Sequence, residues 1–183
     1  MKNISMIFLL LLGPFTAQAC SAPIEVDSAK ALQDALATAS PGQKISILPG
    51  TYRGAFIVKA PAGGSDEQPV IIEAVQGVGT VILDGTGHHM TLRFNGSHHV
   101  VVRDLVITGG GYHGVFFENG ASHITLENNW VHDNTTIHPL NSHAEIIGSG
   151  GDDATRPGHI TLRGNRIYHM THPAGGNFQG IDC

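Results

Sequence analysis

Short runs of alternating apolar and polar residues fill most of the chain, and Gly, Asn, Asp and His interrupt each run. That pattern predicts strands separated by tight turns. One segment differs. Ala31, Leu32, Ala35, Leu36 and Ala39 recur at helical spacing, with Asp27 or Ser28 ahead as a cap and Pro41-Gly42 behind as a stop. A single helix is predicted there.

The strand runs repeat. His99-Val100-Val101-Val102-Arg103, His123-Ile124-Thr125-Leu126-Glu127 and His159-Ile160-Thr161-Leu162-Arg163 share one template, and Pro69-Val70-Ile71-Ile72-Glu73 fits it less completely. The template steps, at Glu73, Arg103, Glu127 and Arg163, are 30, 24 and 36 residues. A second strand sits ahead of each: Met90–Gly96, Gly114–Gly120, Ala144–Gly150 and the stub Gly180–Asp182. A coil of constant core length with insertions on one face is the signature of a solenoid. Alternation points Val70, Val100, Ile124 and Ile160 inward as one column, and Ile72, Val102, Leu126 and Leu162 as the next. The expected fold is all-β: a parallel β-helix of four to five coils, with the helix covering its first coil.

Composition narrows the function. Of 183 residues, 41% are hydrophobic and 14% charged, which excludes a disordered chain. A formal charge of -5 argues against nucleic-acid binding, which needs an excess of Lys and Arg. Lys2, the apolar run from Ile4 to Phe15 and Ala17-Gln18-Ala19 read as a secretory signal over residues 1–19, leaving 20–183 as the β-helix domain. Secretion or a periplasmic location is expected, with a lipoprotein acylated at Cys20 as the alternative. No other segment has the roughly 20 apolar residues of a membrane span. Cys20 and Cys183 lie at opposite ends, so a disulfide between them is not expected. The chain stops inside a strand with no polar cap following. Either a longer protein continues it, the preferred reading, or the open coil pairs end to end with another copy.

The stretch Ala37-Thr38-Ala39-Ser40-Pro41-Gly42-Gln43-Lys44-Ile45-Ser46-Ile47-Leu48-Pro49-Gly50-Thr51-Tyr52-Arg53-Gly54 resembles the start of many pectin-lyase-like right-handed β-helix proteins. Pro69-Val70-Ile71-Ile72-Glu73-Ala74 continues the likeness, as in relatives of alginate lyases and chondroitinase B. The resemblance implies a right-handed helix and an acidic, uronate-containing polysaccharide as partner, often with Ca²⁺. The glycoside-hydrolase branch of that fold is disfavoured: Asn134-Thr135-Thr136 lacks its aspartate, Gly111-Tyr112-His113-Gly114 precedes Asp152-Asp153, and no R-I-K follows.

A lyase acting on a uronate needs a device to neutralise the carboxylate and a base near the α-proton. Acidic candidates on the second-strand face are Glu118, Glu145, Asp152, Asp153 and Asp182; of these, Glu145, Asp152, Asp153 and Asp182 are the predicted Ca²⁺ ligands. His143 and Arg93 are the predicted catalytic residues, with His113 and Arg166 as further base candidates and the 132–143 loop overhanging the face. Gly150-Gly151-Asp152-Asp153 also reads as a solvated turn. Glu73, Arg103, Glu127 and Arg163 form an outer ion-pair ladder, and Asn129 and Asn165 a structural pair at a bend. The 12 histidines fall partly into columns. One is His99, His123 and His159. The other is His89, His113 and His143, aligned through Asn95-Gly96, Asn119-Gly120 and Ser149-Gly150. A transition-metal site and plain packing are the alternatives. The leading function is interaction with an acidic polysaccharide as a β-eliminating, lyase-like protein, its catalytic part incomplete if a longer protein continues the chain; the rival is a non-catalytic carbohydrate-binding or surface-structural module.

Overall fold

A computed structural model describes residues 22–134, 143–148, 152, 155–169 and 178–182, with backbone only for 143, 144, 178–180 and 182. The proposed leader, the 135–142 part of the overhanging loop, Asp153 and both cysteines lie outside the described residues.

Strand β1 (Ile24–Val26) leads into α1 (Ala29–Thr38). Five coils of three strands each follow. The first is β2 (Lys44–Ile47), β3 (Gly50–Arg53) and β4 (Phe56–Lys59), and the second β5 (Val70–Ala74), β6 (Val81–Asp84) and β7 (Met90–Asn95). The third is β8 (His98–Arg103), β9 (Val106–Thr108) and β10 (His113–Glu118). The fourth is β11 (Ser122–Glu127), β12 (Trp130–His132) and β13 (His143–Gly148), and the fifth β14 (Gly158–Arg163), β15 (Arg166–Tyr168) and β16 (Phe178–Asp182). Sheet 1 runs β1-β2-β5-β8-β11-β14, sheet 2 β3-β6-β9-β12-β15 and sheet 3 β4-β7-β10-β13-β16. All named strand pairs are parallel and each joins one coil to the next, so the molecule is a right-handed parallel β-helix.

The predicted columns hold on sheet 1. Val70, Val100, Ile124 and Ile160 are in register, as are Ile72, Val102, Leu126 and Leu162. All are buried except the two in the fifth coil, which are half-buried. Ser28 caps α1, its Oγ accepting from Ala31 N at 3.3 Å. The helix buries Leu32, Ala35 and Leu36 and packs on β4, where a preceding coil would otherwise lie. It thereby covers the open end that the sequence pattern assigned to it.

Sheet 3 corrects one expectation. His113 pairs with Met90 and Ala144, so His89, His113 and His143 do not form a column; the register sets His89 against Tyr112 instead. The cause is turn length. From Asn95 the chain reaches sheet 1 at His98, whereas its partner Glu118 reaches it at Ser122, one residue later. Aligning the Asn-Gly pairs therefore slips sheet 3 by one position, which in a strand exchanges the two faces.

At the bend between sheets 1 and 2 the asparagine pair is structural, as expected. Asn129 Oδ1 accepts from Leu105 N at 3.0 Å, and its Nδ2 donates to Val102 O at 3.0 Å. Asn165 repeats the arrangement one coil on, accepting from Asn129 N at 2.9 Å and donating to Leu126 O at 2.8 Å. Side-chain amides here complete the bonding that the bend denies the backbone.

Candidate functional site

The outer face of sheet 3 carries Arg93, and the strands of sheet 3 also carry the positions of His143, Glu145 and Asp182. Register places Ile57, Arg93, Phe116, Ile147 and Asp182 in one row across the five coils. Arg93 sits on β7 with its side chain about a third exposed (35%). Its Nε donates to Glu118 Oε1 at 2.6 Å, diagonally across to β10. The guanidinium is fixed and partly neutralised, yet one face stays open beside Ile57, His88 and His89, where a depression of about 120 Å³ lies. His89 meets Tyr112 edge-on at 4.7 Å, and His113 stacks on Phe116 at 5.4 Å. A cation flanked by imidazoles and aromatic rings is chemically suited to a sugar carboxylate with an apolar ring face.

Glu145 is placed differently from the open ligand that its position suggested. Thr91, Gly114 and Glu145 share one register level on β7, β10 and β13, between the paired residues on either side. Alternation alone would turn them outward, but Thr91 and Glu145 are fully buried beside Asn134, itself buried, which hydrogen-bonds to both. Asn134 Nδ2 donates to Glu145 Oε2, and Asn134 N donates to Oε1 at 3.3 Å. The same amide accepts from Gly110 N at 2.8 Å and donates to Ile107 O at 3.2 Å. A Cβ on Gly114 would stand 2.6 Å from Asn134 Nδ2, so only glycine leaves room for this packing. Burial pushes the Glu145 carboxyl up to about 7 despite the two Asn134 hydrogen bonds, which lower it, and the Asp133 charge raises it further.

The other candidates are dispersed. Asp152 is exposed, its Oδ1 accepting from Thr155 N at 2.9 Å and Thr155 Oγ1 at 2.7 Å, which is the solvated turn of the plainer reading. Asp182 and His143 occupy β16 and β13 on sheet 3, with only their backbones described. Asp153 lies outside the described residues. Arg166 belongs to sheet 2, its guanidinium 5.6 Å above the Trp130 ring, and so does not join Arg93. His113 is buried. Among the described residues no three His, Cys, Asp or Glu side chains converge on a metal-sized point. No helix among them is long and apolar enough to cross a membrane.

Two features of this region are not marked by the sequence pattern. Tyr112 stands beside His113 and shares none of the histidine spacing. Asn134 has one local signal, an asparagine just past a strand, as at Asn129.

The outer face of sheet 1 carries the ion ladder. Glu73 accepts from Arg103 Nε at 2.8 Å and pairs with Lys44 Nζ at 2.5 Å, while Glu127 and Arg163 stand 3.7 Å apart. Burial would raise the Glu73 carboxyl, but hydrogen bonds from Lys44 and Arg103 and their charges hold it below the ordinary range.

The family model Chondroitinase B matches residues 26–159. No curated protein matches the chain. Among solved structures, the alginate lyase from Paenibacillus sp. str. FPU-7 superposes with a TM-score of 0.54 at 20% identity, covering 76% of this chain and 57% of that one. The PL6 family alginate lyase AlyGC gives 0.57 at 23% identity, covering 77% of this chain and 19% of that one. These likenesses concern the fold, and the chain spans 57% and 19% of the lengths of those lyases. With the family model matched from the first strand to the start of the fifth coil, this polysaccharide-lyase-like β-helix belongs to the chondroitinase B family.

Proposed function

We propose that the protein acts on an acidic polysaccharide as part of a β-eliminating lyase, with the polymer lying across the outer face of sheet 3. The observation that carries this reading is Arg93. It is a cation of that face, held by Glu118 and open on the side of Ile57, His88 and His89, in a chain of the chondroitinase B family. The relatives' names supply the substrate class, a uronate-containing chain such as alginate or chondroitin.

In a β-elimination a base takes the proton α to the carboxylate, the C–O bond to the next sugar breaks, and the departing oxygen takes up a proton. The product is an unsaturated uronate. Arg93 would hold the carboxylate through charge-assisted hydrogen bonds, and the base is the part assigned to His143 at the head of β13. A hard cation such as Ca²⁺ would assist by neutralising the carboxylate. The described acidic side chains do not assemble around one, so no step is routed through it. Export from the cell accompanies this reading through the leader at residues 1–19.

The test is ultraviolet absorbance during incubation with alginate, pectate and chondroitin, with and without Ca²⁺, beside retention of the protein on the same polymers. An absorbance rise that Arg93→Ala abolishes supports the lyase. Retention without absorbance supports a carbohydrate-binding module. Neither signal on any polymer overturns both.

A further inference from the structure

We propose a second anion-binding strip on another face of the coil, formed by His99, His123 and His159 and suited to successive carboxylates of a polyuronate laid along the helix axis. The ligand class rests on the acidic-polysaccharide reading above; the site does not. These residues begin the outward face of sheet 1 on three consecutive coils. Their rings stack face to face, His99 on His123 at 4.4 Å and 7°, and His123 on His159 at 4.5 Å and 16°. They line a groove of about 400 Å³ whose floor is Val101, Thr125 and Thr161, with Ser65, Asp66 and Pro69 at one end. Four positions beyond the histidines on the same strands runs the ladder of Arg103, Glu127 and Arg163, continued by Glu73 on β5.

Three observations point to a ligand. First, all three histidines hold left-handed backbone, with φ of 53, 55 and 55°. At the next bend the left-handed positions are Asp104, Asn128 and Gly164, the types that adopt this region most easily. Histidine is also among the types enriched in this region, and the repeated conformation sets the three rings one above another. Second, parallel rings direct their nitrogens in parallel rather than to one point, so the row does not chelate a metal ion. It offers a line of N–H donors one strand spacing apart instead. Third, the first rung already holds a carboxylate. Asp66 Oδ1 lies 3.1 Å from His99 Nε2, while His98 Nδ1 meets His99 Nδ1 at 3.1 Å. His123 and His159 are exposed and have no carboxylate partner among the described residues. Asp66 shows how a carboxylate seats on this row, and the next two rungs repeat the seat.

Binding of polygalacturonate oligomers is measured by calorimetry, with neutral dextran as control. The double variant His123→Asn/His159→Asn, which keeps residues at ease in left-handed backbone, is expected to bind about tenfold more weakly with its melting temperature unchanged. Asp66→Asn, by freeing the first rung, strengthens binding. A double variant that binds as tightly as the wild type overturns the strip while leaving the polysaccharide reading intact. Equal binding of neutral dextran overturns the strip as well, and no binding by the wild type overturns both.

Discussion

Replacing Glu145 by Gln tests whether the carboxyl under Asn134 is a protonated, buried acid. The carboxyl titrates at about 7 when folded, against an ordinary 4.5. Because the folded value is the higher, the stability it contributes is whole below pH 4.5 and is lost as pH rises through about 7. At about 1.4 kcal/mol per pH unit this amounts to about 3 kcal/mol. Glutamine does not ionise, so that loss is absent from the variant. Its amide offers one acceptor where Asn134 presents two donors, so at pH 4.5 the variant is the less stable of the two. Urea unfolding of both proteins at pH 4.5 and pH 8 gives four free energies. Their double difference cancels the static cost and the titration of every other group, the histidines included. It should move by about 3 kcal/mol in favour of the variant as pH rises. The same pH dependence in both proteins would mean that Glu145 is ionised in the fold, and the account of its burial would be wrong.

Asn129→Ala leaves Leu105 N and Val102 O buried without their side-chain partners. Two such losses should cost about 2–4 kcal/mol, read as a lower urea midpoint with unchanged slope; a change under 1 kcal/mol would contradict the bend's dependence on the amide. Glu127→Lys sets a cation between Arg103 and Arg163 at one register level. A destabilisation of about 1 kcal/mol that shrinks in high salt is expected, since these pairs are partly exposed. A melting temperature equal to the wild type's at low salt would show that the ladder is decorative.

The legible parts of the molecule are those where one local rule repeats. Alternation with a recurring His-to-charge template predicts sheet 1, its two inward columns and the ion ladder from residue types alone, because parallel stacking brings each coil's copy of a position onto the next. The helix was equally readable from Ser28, its apolar spacing and Pro41-Gly42. Sheet 2 was not separated from sheet 1, because its strands β9, β12 and β15 are three residues long and follow the first bend within the same run.

Tertiary structure alone decided the register of sheet 3 and the state of Glu145. One extra residue between Glu118 and Ser122 moves a histidine out of its expected column, and nothing local marks which turn absorbs it. Glu145 has the outward parity of an exposed ligand, yet it is fully buried, and Asn134, 11 residues earlier, donates to both its oxygens. Whether an outward carboxylate meets water or an amide depends on where a neighbouring bend lays its side chain. Periodicity specifies the direction of a side chain, and only the packed coil specifies what it meets there.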